Sequence, residues 1–149
     1  MKLSEHFTLA EFTISNIAAR MGIDNTPGEL VLENLRRLAG VLEQVRALLG
    51  HPIYITSGYR CEELNRLVGG SQNSKHISGL AADFVCPGFG TAKAVVAAIA
   101  CSDISFDQCI LEYFNPSTGQ GWCHLGLSDS HRRQVLTINR RGVFAGVMA

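Results

Sequence analysis

The sequence predicts an α+β fold built as one domain. Helical patterns fill the first third of the chain, and short β-branched or aromatic segments follow one another in the second half. Because the strand segments are mostly neighbours in the chain, we expect the N-terminal helices to pack on a small antiparallel sheet. The chain has 149 residues, of which 46% are hydrophobic and 17% charged, enough apolar material for a self-sufficient core. We therefore expect a single domain over residues 1–149.

The helices are predicted from start signals and apolar spacing. Thr8, with Glu11 three residues later, is a capping-box spacing that starts a short helix. Thr26 and Pro27 give a second start signal, with Pro27 at the first position of a long helix. The leucines of this long helix recur at steps of three and four residues, which indicates core packing. The predicted helices cover about 8–20, 28–49, 61–68 and 91–101.

The strands are predicted from short apolar runs that are rich in β-branched and aromatic residues. Turn-forming residues end the runs: Ser57 and Gly58 end the first, and Pro87 and Gly88 end the second. A polar loop over 71–78 separates these two runs. The predicted strands cover 53–56, 80–86, 108–113, 122–127 and 134–139.

Charge and composition exclude several function classes. The 13 basic and 13 acidic residues cancel, whereas a nucleic-acid-binding protein usually carries a strong basic excess. No apolar run approaches the ~18 residues of a membrane-spanning helix, so we expect no membrane insertion. The polar start of the chain lacks the apolar stretch of a signal peptide, so we expect synthesis in the cytoplasm. The five cysteines form no CxxC pair and are expected to be reduced and mostly buried.

Three polar side chains stand where core packing does not explain them. His76 lies in the polar loop, Asp83 interrupts the apolar strand 80–86, and His124 lies within the apolar strand 122–127. A carboxylate inside a strand is costly to desolvate unless it is paired or bound to a metal ion. Two imidazoles and one carboxylate suffice to hold a catalytic zinc ion with a fourth position left for water. Taken singly, a histidine in a strand is more often a hydrogen-bonded core residue, and a strand aspartate could bond to neighbouring backbone, so neither alone indicates a metal site.

The sequence around these residues resembles the zinc D-Ala-D-Ala carboxypeptidase family, the M15 peptidases. Residues 74–84 read SKHISGLAADF and are similar to the family signature SxHxxGxAxD. Upstream, SGYR at 57–60 followed by Asn65 resembles the family's SGYR segment with its downstream asparagine. Downstream, WCH at 122–124 resembles the Trp-x-His strand that carries the family's third metal ligand. The three motifs occur in the family's order.

The beginning of the chain resembles one branch of this family. Residues 7–12 and 22–27 are similar to the branch common in phages and prophages, so the likeness spans about 5–127. The resemblance implies a Hedgehog/DD-peptidase-like arrangement of the α+β fold. It implies a zinc-dependent D-Ala-D-Ala carboxypeptidase or endolysin-type endopeptidase that hydrolyses a bond in the peptidoglycan stem peptide. We expect a monomeric phage or prophage product that acts on the cell wall after release.

The resemblance also implies roles for individual residues. The zinc ligands would be His76, Asp83 and His124. Arg60 would bind a substrate carboxylate or steady the scissile carbonyl, since its planar donors suit either group. Ser74 would hydrogen-bond substrate or a ligand, and Trp122 would wall the site from the same strand face as the third ligand. Gly79 and Ala81 would let the backbone pack close to the metal.

The position of the general base departs from the family pattern. Many members place an acid three residues before the third ligand, where this chain has Gly121. The branch that the chain most resembles has a glutamate shortly upstream that matches Glu112, so we expect Glu112 to be the general base. Asp107 and Asp129 are alternatives.

Two other hypotheses stay open at this point. If none of these acids serves as the base, the same fold could be a catalytically silent module that binds cell wall or a phage structural protein. The histidines could also be structural residues of a small interaction domain. The residues do not decide which bond of the stem peptide is cut.

Overall fold

A computed structural model describes residues 1–148 as five helices and six strands. The helices are α1 (Leu9–Thr13), α2 (Asn16–Met21), α3 (Glu29–Leu49), α4 (Glu62–Leu67) and α5 (Ala92–Ala100). The strands are β1 (Tyr54–Ser57), β2 (Ala81–Val85), β3 (Gln108–Glu112), β4 (Trp122–Gly126), β5 (Gln134–Asn139) and β6 (Gly142–Ala145). The predicted α+β class is confirmed.

The N-terminal helices differ from the prediction in two places. The first predicted helix is divided into α1 and α2, because Ser15 leaves the helical conformation and caps the start of α2. The long helix predicted at about 28–49 is confirmed as α3, but it begins after Gly28, so the prediction that Pro27 is its first residue is wrong. The Thr26 N–H donates to the Asp24 carboxylate at 3.0 Å, which holds a turn just before the helix.

The six strands form one sheet in the order β1-β2-β4-β3-β5-β6. β3 and β5 run parallel while the other neighbours are antiparallel, so the sheet is mixed and the predicted antiparallel sheet is wrong. β4 already pairs with β2 on one edge and β3 on the other, so the chain cannot return beside β4. It crosses the end of the sheet through 127–133 and enters beside β3 instead. The sequence pattern also missed β6, which is only four residues long.

Side-chain alternation gives the sheet a core face and a polar face. On β3 and β4, Cys109, Leu111, Cys123 and Leu125 are fully buried and share one apolar cluster with residues of α3 and α5. α5 contacts β3 and β4, and α3 contacts α5. The alternate residues of the same strands therefore project from the opposite face, where polar side chains gather.

No helix in the described part of the chain combines the length and the apolar character that a membrane crossing requires. The cysteines are free, and Cys86, Cys109 and Cys123 are buried. These thiols fill the core as small apolar side chains.

Candidate metal centre

Three side chains with metal-binding atoms meet on the polar face of the sheet. Asp83 on β2 and His124 on β4 are paired across the two strands, so they project from the same face. His76 reaches them from the loop between α4 and β2. Asp83 Oδ1 lies 2.9 Å from His124 Nδ1 and 3.4 Å from His76 Nε2. The three donor atoms all lie within 4.8 Å of one another.

The backbone fixes the orientation of the His76 ring. His76 Nδ1 lies 2.7 Å from the carbonyl oxygen of Gly58, so Nδ1 donates its proton there and Nε2 is the ring nitrogen that faces Asp83. The Arg60 N–H donates to the His76 carbonyl at 3.1 Å. A Cβ at Gly58 would lie 2.7 Å from the Phe12 Cα, so this close approach requires glycine. The loop thereby aims His76 Nε2 at Asp83, as an outer partner of a metal-binding histidine does.

The two histidines compensate for the burial of Asp83. Burial alone would raise the pKa of Asp83, but hydrogen bonds to His124 and His76 and their positive charges lower it well below its ordinary value. Burial alone would lower the pKa of His124, yet its hydrogen bond to Asp83 and the charges of Asp83 and Glu112 raise it. The Asp83 carboxylate is therefore ionised at neutral pH, as a metal ligand has to be.

The donor set fits a divalent metal ion. Zinc binds imidazole nitrogen and carboxylate oxygen at about 2.0–2.2 Å, so two of its ligand atoms are at most roughly 4.4 Å apart. The separations of 2.9 and 3.4 Å from Asp83 Oδ1 to the two ring nitrogens lie within that limit. His76 presents Nε2 to the centre because Nδ1 contacts the Gly58 carbonyl, and Asp83 presents a charged oxygen. His76, Asp83 and His124 could therefore hold a metal ion with a position open for substrate or water.

Glu112 stands beside this donor set at the end of β3. Its Oε1 lies 3.9 Å from His124 Nδ1 and accepts a hydrogen bond from Trp122 Nε1 at 2.7 Å. Burial raises the pKa of Glu112, and the opposing effects of the His124 charge and the Trp122 hydrogen bond offset this only in part. A carboxylate with a raised pKa is better able to take up a proton and return it.

The backbone at Gly121 explains why this chain has no acid there. Gly121 has a φ of 129°, in the region that side chains other than glycine rarely adopt. A Cβ at this position would also lie 2.7 Å from the Cα of Phe114. An acidic residue at Gly121 would thus require the backbone of both segments to move.

The other two acids are placed differently from Glu112. Asp129 has a fully exposed side chain that contacts Arg37 at 3.4 Å. Asp107 lines the same cleft as the donor set, but both of its oxygens accept hydrogen bonds from Arg132, at 2.7 and 3.0 Å. Of the three acids, Glu112 is the one that the structure brings next to a candidate metal ligand.

The donor set opens into a cleft of about 540 Å³. The site residues expected from the sequence all line it: Arg60, Ser74, His76, Asp83, Glu112, Trp122 and His124. Arg60 Nε is buried and has no hydrogen-bond partner within residues 1–148, which leaves a donor available for a ligand. Burial lowers the pKa of Arg60, against the opposing charges of Asp83 and Glu112. Ser74 Oγ accepts from the His76 N–H at 3.2 Å, so it also braces the loop.

Gly79 lies in close contact with α3. Its φ is 73°, and a Cβ there would lie 2.8 Å from Val31 Cγ1 on α3. The contact with this helix therefore requires glycine at position 79.

Sequence reasoning missed several residues that line the cleft. Tyr113 has a positive φ of 52° and packs against Trp122, with ring centroids 5.6 Å apart. Asp107 and Arg132 are joined as an ion pair, and Lys75 lies on the same wall. The sequence offers Asp107 as an alternative general base, but it does not show the pairing of Asp107 with Arg132, because these residues are far apart in the chain.

A largely buried His–Asp–His group that could hold a metal ion, with a carboxylate beside it, suits a metal-dependent hydrolase. The family model described as Peptidase M15 matches residues 5–115, well over half of the chain. The chain belongs to the M15 peptidase family, whose members are metallopeptidases and are generally zinc-dependent. The matched segment includes His76, Asp83 and Glu112, whereas His124 lies beyond its end. A comparison with curated proteins gave no match.

Replacing Gly121 with alanine should lower the free energy of unfolding by about 1–3 kcal/mol, because a non-glycine residue at this φ is strained. The contact with the Phe114 backbone adds to that cost. Gly40→Ala, in the exposed interior of α3, is the matched control and should stabilise by up to about 1 kcal/mol. Urea unfolding of both variants measures the difference. Equal stability of Gly121→Ala and wild type would show that the backbone there is not constrained.

The stability of the protein should depend on Asp107 in acid. Hydrogen bonds from Arg132 lower the pKa of Asp107 below its ordinary value of 3.8. The stabilisation is therefore fully present above that ordinary value and is lost as the pH falls through the lower folded-state pKa.

Urea unfolding between pH 6 and pH 2 should show this loss for wild type. The difference in free energy of unfolding between wild type and Asp107→Asn should become smaller as the pH falls. Asp103→Asn removes an exposed carboxylate instead and should follow the wild-type curve. A gap that stays constant with pH would contradict the assignment of the ion pair.

Proposed function

We propose that this protein is a zinc metallopeptidase that hydrolyses a peptide bond in the stem peptide of peptidoglycan, as a D-Ala-D-Ala carboxypeptidase or an endolysin-type endopeptidase. The observation that carries the proposal is the meeting of His76, Asp83 and His124 beside Glu112 in one open cleft. Membership of the M15 family supports a peptide or peptidoglycan substrate in general terms. The activity would go with a Hedgehog/DD-peptidase-like arrangement of one domain over 1–149.

Zinc held by the three ligands would supply Lewis acidity toward the scissile carbonyl and would make water a stronger nucleophile near neutral pH. Glu112 would accept the proton that the attacking water loses and would deliver it to the amine nitrogen as the C–N bond breaks. Trp122 would hold Glu112 in place through its N–H donor. Each proton taken from water is thereby returned to the leaving group.

Arg60 would orient the substrate in this scheme. Its unpaired Nε and its position on the cleft wall support binding to a substrate carboxylate or to the scissile carbonyl oxygen. Ser74 lines the same cleft and would offer its hydroxyl to the substrate or to a ligand. Trp122 would form the wall on the side of Glu112.

The alternative is a catalytically silent module that binds cell wall or a phage structural protein. The backbone at Gly121, which excludes an acid from the family's frequent base position, favours this alternative. The presence of Glu112 at 3.9 Å from His124 favours catalysis. We further propose a monomer of phage or prophage origin, which the resemblance of residues 7–12 and 22–27 to that branch supports.

The purified protein should contain close to one zinc ion per chain by elemental mass spectrometry. Replacing His76 and His124 together with alanine should remove it, because two of the three donors are lost. The matched control replaces the exposed His51 and His131 with alanine and should keep the metal. Zinc-free wild-type protein, or zinc retained by the His76/His124 variant, would contradict the proposed centre.

Digestion of peptidoglycan fragments, followed by mass spectrometry, tests the activity and identifies the bond that is cut. Glu112→Gln should lower turnover by about 10²–10⁴-fold while zinc stays bound, because the proton acceptor is lost. Glu33→Gln, on the exposed face of α3, should leave turnover unchanged.

Each of the other outcomes selects among the hypotheses. Unchanged turnover of Glu112→Gln would eliminate Glu112 as the base. Binding of wild type to the fragments with no cleavage product would favour the silent module.

A further inference from the structure

Besides Arg60, basic side chains line the cleft near the start of β3, at the opposite end of that strand from Glu112. Arg132 and Lys75 line the cleft together with Asp107, which precedes the first residue of β3. His124 is paired with Ile110 in the middle of that strand. At the strand rise of about 3.3 Å per residue, Asp107 stands roughly 10 Å along the strand from the donor set. A ligand that reaches both positions has to be an extended molecule.

Asp107 holds the Arg132 guanidinium in a fixed orientation. Arg132 Nε and one terminal nitrogen donate to the two carboxylate oxygens at 2.7 and 3.0 Å. The Asp107 side chain is 4% exposed, whereas that of Arg132 is 54% exposed. The other terminal nitrogen, Nη1, makes no hydrogen bond within residues 1–148. The buried Asp107 carboxylate thus orients the Arg132 guanidinium, and the Nη1 donors on its exposed side stay free.

The backbone on both sides of Arg132 is strained and firmly held. His131 and Arg133 have positive φ values of 44° and 52°. Arg133 donates to the carbonyl oxygens of Ile104 at 3.1 Å and Ser102 at 2.8 Å, which ties the segment to the end of α5. Non-glycine residues in this conformation are strained and persist where the surrounding structure determines them. These contacts support the loop from which Arg132 reaches the cleft.

Lys75 leaves this end of the cleft with a net positive charge. Lys75 forms no ion pair within residues 1–148, and its charge acts on Asp107. Asp107 and Arg132 neutralise each other, so the Lys75 ammonium is the excess charge. Lys75 directly precedes His76, so the same loop serves both ends of the cleft. An anionic group is the ligand that such a position attracts.

We propose that Arg132 and Lys75 form a subsite that binds a carboxylate of the peptide substrate, about 10 Å from the bond that is cut. Arg132 Nη1 and the Lys75 ammonium would donate charge-assisted hydrogen bonds to its oxygens. An extended peptide covers that distance in about three residues, so this carboxylate is a different one from any group bound by Arg60. The inference rests on the proposed function and names a feature of the substrate: a free carboxylate on an internal residue.

Three synthetic stem pentapeptides test the subsite. The parent carries free carboxylates on D-Glu and on meso-diaminopimelate, and each of the other two carries a carboxamide at one of these positions. Calorimetric binding to the Glu112→Gln protein avoids cleavage during the titration. One of the two amidations should weaken binding by about tenfold to a hundredfold, the range for a hydrogen bond to a charged group.

Variants at Arg132 show whether this preference comes from the subsite. Added to Glu112→Gln, Arg132→Gln should bind the parent and the amidated peptides equally well, and Arg132→Lys should keep part of the preference because the charge remains. Arg36→Gln, an equal change of charge on the exposed face of α3, should keep the full preference. Comparing peptides within one variant separates recognition from any loss of stability, which would weaken all three peptides alike.

The outcomes distinguish failure of the subsite from failure of the proposed function. The subsite is overturned if the Glu112→Gln protein shows no preference for the parent peptide over the amidated peptides, or if that preference survives Arg132→Gln. This holds even if wild type cleaves peptidoglycan. A preference that depends on Arg132 supports the subsite even if wild type gives no cleavage product, in which case the proposed hydrolysis fails alone.

Discussion

The carboxylate of Asp83 is the group around which the polar face of the sheet is arranged. It is buried within a strand, and its charge is tolerated because two imidazoles face it at 2.9 and 3.4 Å. The β2–β4 register supplies one imidazole directly opposite, and the loop braced by Gly58 supplies the other. Removing either histidine would leave a buried charge only partly compensated. A bound cation would satisfy the same three groups together, so the stability of the fold and metal binding are linked here.

The backbone, more than side-chain chemistry, determines which acid stands beside this group. Gly121 cannot carry a side chain without displacing Phe114, and the neighbouring strand places Glu112 within reach instead. Trp122 both covers Glu112 and donates to it, so the acid is held while its pKa is raised by burial. Glu112 is paired with Trp122, the residue next to Gly121, and so an acid stands near the donor set although position 121 carries none.

The mixed sheet extends the cleft beyond the donor set. Because both edges of β4 are occupied, the chain crosses the end of the sheet before β5, and this crossing carries Arg132. Had β5 formed a hairpin with β4, the segment would have been a short turn. The parallel pairing of β3 and β5 therefore has a consequence for the cleft, since it places a basic loop at the end of the strand that leads to Glu112.

The sequence by itself determined the α+β class, the approximate elements and the three candidate metal ligands, because apolar spacing and local motifs are properties of neighbouring positions. It also gave Glu112 as a candidate, but Asp107 and Asp129 stood as alternatives beside it. Only the tertiary structure decided their places: Asp107 is engaged by Arg132, and Asp129 is exposed. The parallel β3–β5 pair, the contact of Gly79 with α3 and the Arg132 loop were likewise decided there. Each of these features joins residues that are distant in the chain, and a local sequence pattern does not show which distant segments come into contact.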